Sequence, residues 1–245
     1  MNNNFKILNF KKMVIMLLGM WLLFSTTIIT LFLKNPVEKA VIKMVWGLIF
    51  LWIIVCGGLM YFFRNPIKNI VLKIPLPWYI KFVFFTIILA FIEEFIATTM
   101  TNMAPFFNVK IGDAYITAST NFWDVIFFHS LINFIGPFIF WAIVLKYYDF
   151  SPFSAFLIWG TTGILAEVLL GGPRHFLEFG LWMFVYGLMI FLPVYSIPSA
   201  EERKAKCPKF YHYFLMIFLP LLFVPLFAWI PLIIDPNHPQ PTHFN

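Results

Sequence analysis

Apolar runs of bilayer length follow one another along this chain and limit what it can fold into more than any other feature. They cover about 13–33, 40–63, 80–104, 122–146, 153–171, 179–197 and 211–234. About 20 apolar residues are enough to cross the hydrocarbon core as a helix. In lipid the backbone must satisfy its own hydrogen bonds, so a run of this length is read as helical. The expected fold is all-α: a polytopic bundle of about seven transmembrane helices forming one integral membrane domain over 1–234. The remainder, 235–245, reads DPNHPQPTHFN and is expected to be a disordered tail. The first run resembles a signal peptide. It has full bilayer length and no small-x-small cleavage site, so it is read as a retained helix.

Composition excludes the soluble alternatives. The chain is 61% hydrophobic and 11% charged, whereas soluble domains carry about 25% charged residues. The net charge of +6 raises nucleic acid as a partner. However, the basic residues lie in short segments beside apolar runs, where they set topology and meet lipid headgroups. The expected partner is the lipid bilayer, with no nucleic acid. Cys56 lies within an apolar run and Cys207 in a basic loop, so no disulfide framework is expected.

Charge also orients the chain. With the N-terminus inside, twelve Lys and Arg residues fall on the inner side and five on the outer. The positive-inside rule then favours N-in, C-out, and the cell membrane of a prokaryote is the expected location.

Polar residues inside the runs nominate a site. A carboxylate at membrane depth costs about 2.5–3.5 kcal/mol on the insertion scale and marks a functional candidate. Glu93 and Glu94 are adjacent in the third run. Glu94, Thr98, Thr101 and Asn102 recur at helical spacing and share a face. The fourth run holds His129 and Asn133, also on one face, and Gly136-Pro137 as an expected kink. The fifth holds Glu167 on a face with Gly160, Gly163 and Gly171, which invites close approach by another helix. The connector GGPRHFLEFG adds Arg174, His175 and Glu178. In the N-in orientation Glu93, Glu94, His129, Asn133 and Glu167 fall in the outer half of the membrane, with the connector closing over the same side, as an outward-facing polar pocket.

Each candidate has a plainer reading. Glu93 and Glu94 exceed what a helix contact needs. His129 and Asn133 serve equally well as hydrogen-bonding glue between helices. Glu167 reads as a structural partner, and Arg174, His175 and Glu178 as a solvated loop. His238 and His243 are too sparse in the tail to argue metal binding.

Glu93-Glu94 on one membrane helix, followed by His129 on the next, resembles the CAAX-protease and bacteriocin-processing (CPBP) family of intramembrane endopeptidases. The resemblance implies Glu93 as the water-activating base, with His129 and Asn133 stabilising the oxyanion. The chain departs from the family pattern at Thr98, where Arg is expected, and at Val125, where Phe is expected. His175, the candidate for the third motif, has Phe179 four residues on.

The residues support two classes of function. One is a Glu/His-dependent intramembrane hydrolase, with Glu93, Glu94, His129 and Asn133 as the catalytic set and Glu167, Arg174 and His175 as secondary candidates. A divalent metal such as zinc is its candidate cofactor, and a membrane-embedded peptide or lipid its candidate substrate. The other is a transporter or proton/cation-conducting protein using the same carboxylates. A membrane assembly protein without catalysis is the bland alternative.

Overall fold

The structure is a computed structural model and describes residues 2–238. Eight helices organise it: α1 (Asn2–Phe32), α2 (Pro36–Phe62), α3 (Arg64–Lys73), α4 (Trp78–Asn102), α5 (Phe122–Tyr147), α6 (Pro152–Gly171), α7 (Phe179–Tyr195) and α8 (Phe210–Ile234). Among the described residues no strand forms, only isolated bridges at Ile111–Ala114 and Tyr148–Lys206. Five of the helices are long and apolar enough to cross a membrane: Asn9–Phe32 of α1, then α2, α5, Pro152–Leu169 of α6, and α8. This is consistent with an integral membrane protein. Helix α7 is apolar but has only 17 residues. Helix α4 has 25 residues, about 37 Å at 1.5 Å per residue.

The helix ends follow local chemistry. Asn35 caps α2 by accepting from the Val37 N–H at 2.8 Å, with Pro36 in the first turn. Asn121 caps α5 through the Trp123 N–H at 3.0 Å. Ser151 caps α6 through the Ser154 N–H at 3.1 Å, again with a proline next. Gly172, at φ +90°, ends α6 in a conformation that L side chains rarely adopt. The segment between the second and third apolar runs is mostly helical. Its α3 is a ten-residue surface helix with no buried residue.

Two helices carry wide turns. Residues Ile49–Cys56 of α2 and Val125–His129 of α5 are π-helical. Helix α5 then continues through Gly136-Pro137 to Tyr147. The irregularity of α5 lies upstream of the proline, at Val125–His129. Helix α8 is broken into short pieces, with Pro220, Pro225 and Pro231 each opening one.

Side-chain contacts gather the connectors at two ends. At one end the Tyr195 hydroxyl donates to Asn65 Oδ1 at 2.5 Å. There too the Arg203 guanidinium binds Asp149, the Leu145 carbonyl and the Pro198 carbonyl and lies over the Trp78 ring. At the other end Trp21 donates to the Leu177 carbonyl at 3.2 Å, Lys43 lies over Phe107, and His238 stacks on Phe128. Successive long helices thus run back and forth between these ends.

The core lies between α2, α4, α5, α6 and α7. Trp52, Phe82, Phe138, Trp141 and Phe150 are fully buried there, and Trp52 donates to the Val185 carbonyl at 3.1 Å. Helices α6 and α7 pack through glycines. A Cβ at Gly163 would sit 2.0 Å from the Tyr186 ring, one at Gly160 2.7 Å from the Met183 carbonyl oxygen, and one at Gly187 2.5 Å from Phe156. The neighbour that the glycine face of α6 invites is therefore α7.

Candidate functional site

Glu93 and Glu94 lie about two-thirds of the way along α4 and are 5% and 6% exposed. Being adjacent on a helix, they point about 100° apart, and both are still covered by other elements. Glu94 accepts from the Thr117 hydroxyl at 3.1 Å and bonds the Ser130 side chain of α5. Glu93 lies within electrostatic reach of Glu94 and of Glu167 on α6. Glu167 accepts from the Tyr186 hydroxyl of α7, and Tyr186 in turn feels both Glu93 and Glu94. Four helices and one connector therefore bring three carboxylates together with Tyr186, Thr117 and Ser130.

The connector 103–121 covers this centre as a plug. The Ile116 N–H donates to the Thr101 hydroxyl at 3.2 Å, and the Asn102 side chain donates to the Thr120 carbonyl at 2.7 Å. Ala114 and Ala118 are buried. Thr98, one turn beyond Glu94 on the same face, is 3% exposed, and its hydroxyl has no hydrogen-bond partner. A buried hydroxyl of this kind calls for a ligand or water. Among the described residues no Lys or Arg forms an ion pair with any of the three glutamates.

His175 approaches the same centre from above. It lies within electrostatic reach of Glu167, and its Nε2 would be 2.3 Å from a Cβ at Gly171. Its Nδ1 pairs with Glu178 Oε2 at 2.8 Å, and Trp182 donates to the same oxygen at 3.1 Å. His175 and Glu178 are thus an ordered pair rather than a freely solvated loop. Arg174 lies on the same short turn.

His129 and Asn133 are engaged elsewhere. The His129 Nε2 lies 3.6 Å from Asp124 Oδ2, and its ring centroid is 5.5 Å from that of His238. Asn133 donates to the backbone carbonyl of His129 at 2.5 Å, within its own helix. Sequence reasoning placed His129 beside the glutamates. The structure brings its neighbour Ser130 to Glu94 and turns the imidazole to Asp124 and His238. Sequence reasoning also missed Tyr186, Thr117 and Ser130. For Tyr186 the signal was the glycine face of α6, which implied a close neighbour without naming it.

The turn 235–238, read as the start of a disordered tail, is hydrogen-bonded: Asn237 N–H donates to Asp235 Oδ1 at 3.0 Å and His238 N–H to the Asp235 carbonyl at 3.2 Å. The rest of that expected tail, 239–245 including His243, lies outside the described residues. A separate cleft of about 490 Å³ between α2, α3 and α4 is lined by apolar side chains including Trp52, Met60, Phe85, Leu89 and Ile92.

No family model, no curated protein and no solved structure matches this chain.

Proposed function

We propose that the chain is a seven-crossing integral membrane protein, N-in and C-out in a prokaryotic cell membrane, that binds and exchanges protons or a small cation at Glu93, Glu94 and Glu167. The observation that carries this reading is the meeting of two buried carboxylates, Glu93 and Glu94, with the half-buried Glu167, without a Lys or Arg ion-pair partner among the described residues. An unpaired buried charge is too costly to persist. Negative charge at this centre must therefore be offset by protons or by a cation. The hydroxyls of Thr117, Ser130 and Tyr186 supply oxygen ligands or relay positions. The unpartnered Thr98 hydroxyl supports a further ligand nearby. Helices α4 and α7 are the two crossings added to the five long apolar helices, because they run between the same two ends.

The test is flux in proteoliposomes. An imposed pH or cation gradient should collapse faster with the protein than without it. Glu93→Gln, Glu94→Gln and Glu167→Gln should each slow that collapse at least tenfold while keeping the fold. Flux equal to that of protein-free vesicles, or a triple Gln variant as fast as the parent, rejects the reading.

A second reading, the intramembrane hydrolase, rests on His175. An imidazole held by Glu178 at 2.8 Å and within electrostatic reach of Glu167 gives the carboxylate centre an acid–base partner. This keeps the resemblance to the CPBP endopeptidases in Glu93-Glu94, with His175 rather than His129 as the nearby imidazole. Cleavage of a membrane-embedded peptide or lipid, lost in His175→Gln, selects this reading over the first.

A further inference from the structure

Apart from the carboxylate centre, one more group of ionisable side chains comes together, at the rim where α5 begins and α8 ends. Asp124, His129 and His238 each offer one ligand atom, and those atoms all lie within 4.8 Å of one another. The Asp124 carboxylate is divided between the two imidazoles: Oδ1 is 2.6 Å from His238 Nε2, and Oδ2 is 3.6 Å from His129 Nε2.

We propose that Asp124, His129 and His238 form a binding site for one divalent transition-metal ion of the zinc type. The donor set argues for that class. Two imidazole nitrogens and one carboxylate suit zinc and its first-row neighbours, whereas calcium and magnesium prefer all-oxygen shells. Metal–ligand bonds of about 2.0–2.2 Å in a tetrahedral shell require ligand atoms roughly 3.3 Å apart. The 3.6 Å between His129 and Asp124 Oδ2 is close to that spacing, and the 2.6 Å between His238 and Asp124 Oδ1 has to open as an ion enters.

Three further features fit a metal better than a plain ion pair. The His238 Nε2 is buried and makes no hydrogen bond, although Asp124 lies 2.6 Å away. A buried nitrogen without a hydrogen-bond partner calls for a ligand. The other nitrogen of His238 faces Asp235 Oδ2 at 3.9 Å, the carboxylate–histidine arrangement that orients metal-ligating imidazoles. The His238 ring also stacks on Phe128 at 3.8 Å and 13°, which fixes its plane.

The local backbone explains the convergence. Asp124 and His129 are five residues apart. On an α-helix that separation puts them roughly 140° apart around the axis. Residues Val125–His129 are π-helical, and the wider turn brings position i towards i+5. His129 then sits at φ −126°, ψ −88°, outside the helical region, where the π-turn gives way to the α-helix. Asn133 holds its carbonyl. The third ligand arrives on the hydrogen-bonded turn after α8. An ion here joins the last described turn of the chain to the start of α5 and leaves a fourth position for water.

The experiment titrates the full chain, purified in detergent and stripped with a chelator, with Zn²⁺ alone. The expected result is one equivalent bound by the parent. Binding should weaken at least 100-fold in Asp124→Asn and in His238→Gln, and stay unchanged in His212→Gln. His238 lies beyond the last helix, so its variant keeps the reading testable if Asp124→Asn fails to fold. Loading with Co²⁺ should give a visible absorption band that His238→Gln loses. The proposal is overturned by a parent chain that binds no Zn²⁺, by parent affinity in His238→Gln, or by an equal loss in His212→Gln.

Discussion

The two polar centres of this molecule solve the same problem in different ways. At the rim, Asp124 meets two imidazoles within hydrogen-bonding or ion-pair range, and all three side chains keep some access to water. In the interior, Glu93, Glu94 and Glu167 have only hydroxyls and one another, with His175 at the margin. The rim group carries its own charge balance and can gain a metal. The interior group carries none, so its net charge has to change with what binds. The difference shows why the interior is the stronger candidate for exchange and the rim for a fixed ligand. It also ties the interior centre to the packing that holds it, because Tyr186 is both a partner of Glu167 and a wall of the glycine contact.

The largest expected effect tests that tie. In Gly163→Val the added carbons fall inside the Tyr186 ring, 2.0 Å from the Cβ position. Overpacking of this kind costs about 1–3 kcal/mol, and the ring must leave Glu167 as it moves. Thermal unfolding in detergent should register that loss, together with a fall in proton or cation flux. Gly19→Val, with nothing within 4 Å of its Cβ, should change stability by less than about 0.5 kcal/mol. Equal behaviour of the two variants would break the link between the glycine contact and the carboxylate centre.

Thr117→Val sharpens the account of the plug. It removes the hydroxyl that Glu94 accepts from at 3.1 Å and should cost about 1 kcal/mol. The cost should appear locally, as faster proteolysis or hydrogen exchange within 103–121. The rim group should keep its metal affinity. Tyr186→Phe is expected to be milder, about 0.6 kcal/mol, the average for a side-chain hydrogen bond between membrane helices. Its flux should fall further than its stability if the hydroxyl serves exchange.

Much of the fold was legible because it depends on local chemistry. The apolar runs fall on α1, α2 and α4 to α8. That Glu93 and Glu94 lie inside a long helix was legible from the apolar run around them. The partners of each carboxylate were not. Thr117 reaches Glu94 from a connector 23 residues on, and nothing in its polar composition distinguishes a plug from a solvated loop. Helical periodicity also misplaced His129. It groups His129 with Asn133 at i, i+4, a spacing that puts the two on one face, while the π-turn redirects the imidazole towards Asp124. His238 was set aside as isolated because its partners lie more than a hundred residues away in sequence, and only the return of α8 to the start of α5 brings them together.

The smallest effect on the fold should come from Asp235→Asn, and it separates the two centres most cleanly. Asp235 is partly exposed and faces His238 at 3.9 Å, so removing its charge should change stability by less than about 0.5 kcal/mol. An outer-shell carboxylate nonetheless orients a ligating imidazole, and its loss lowers metal affinity about 10–100-fold. Zn²⁺ titration should show that drop in Asp235→Asn, while proton or cation flux through Glu93, Glu94 and Glu167 stays at the parent level. A variant that keeps its Zn²⁺ affinity would mean that the Phe128 stack alone orients His238. A variant that loses flux as well would mean that the rim and the interior act as one site.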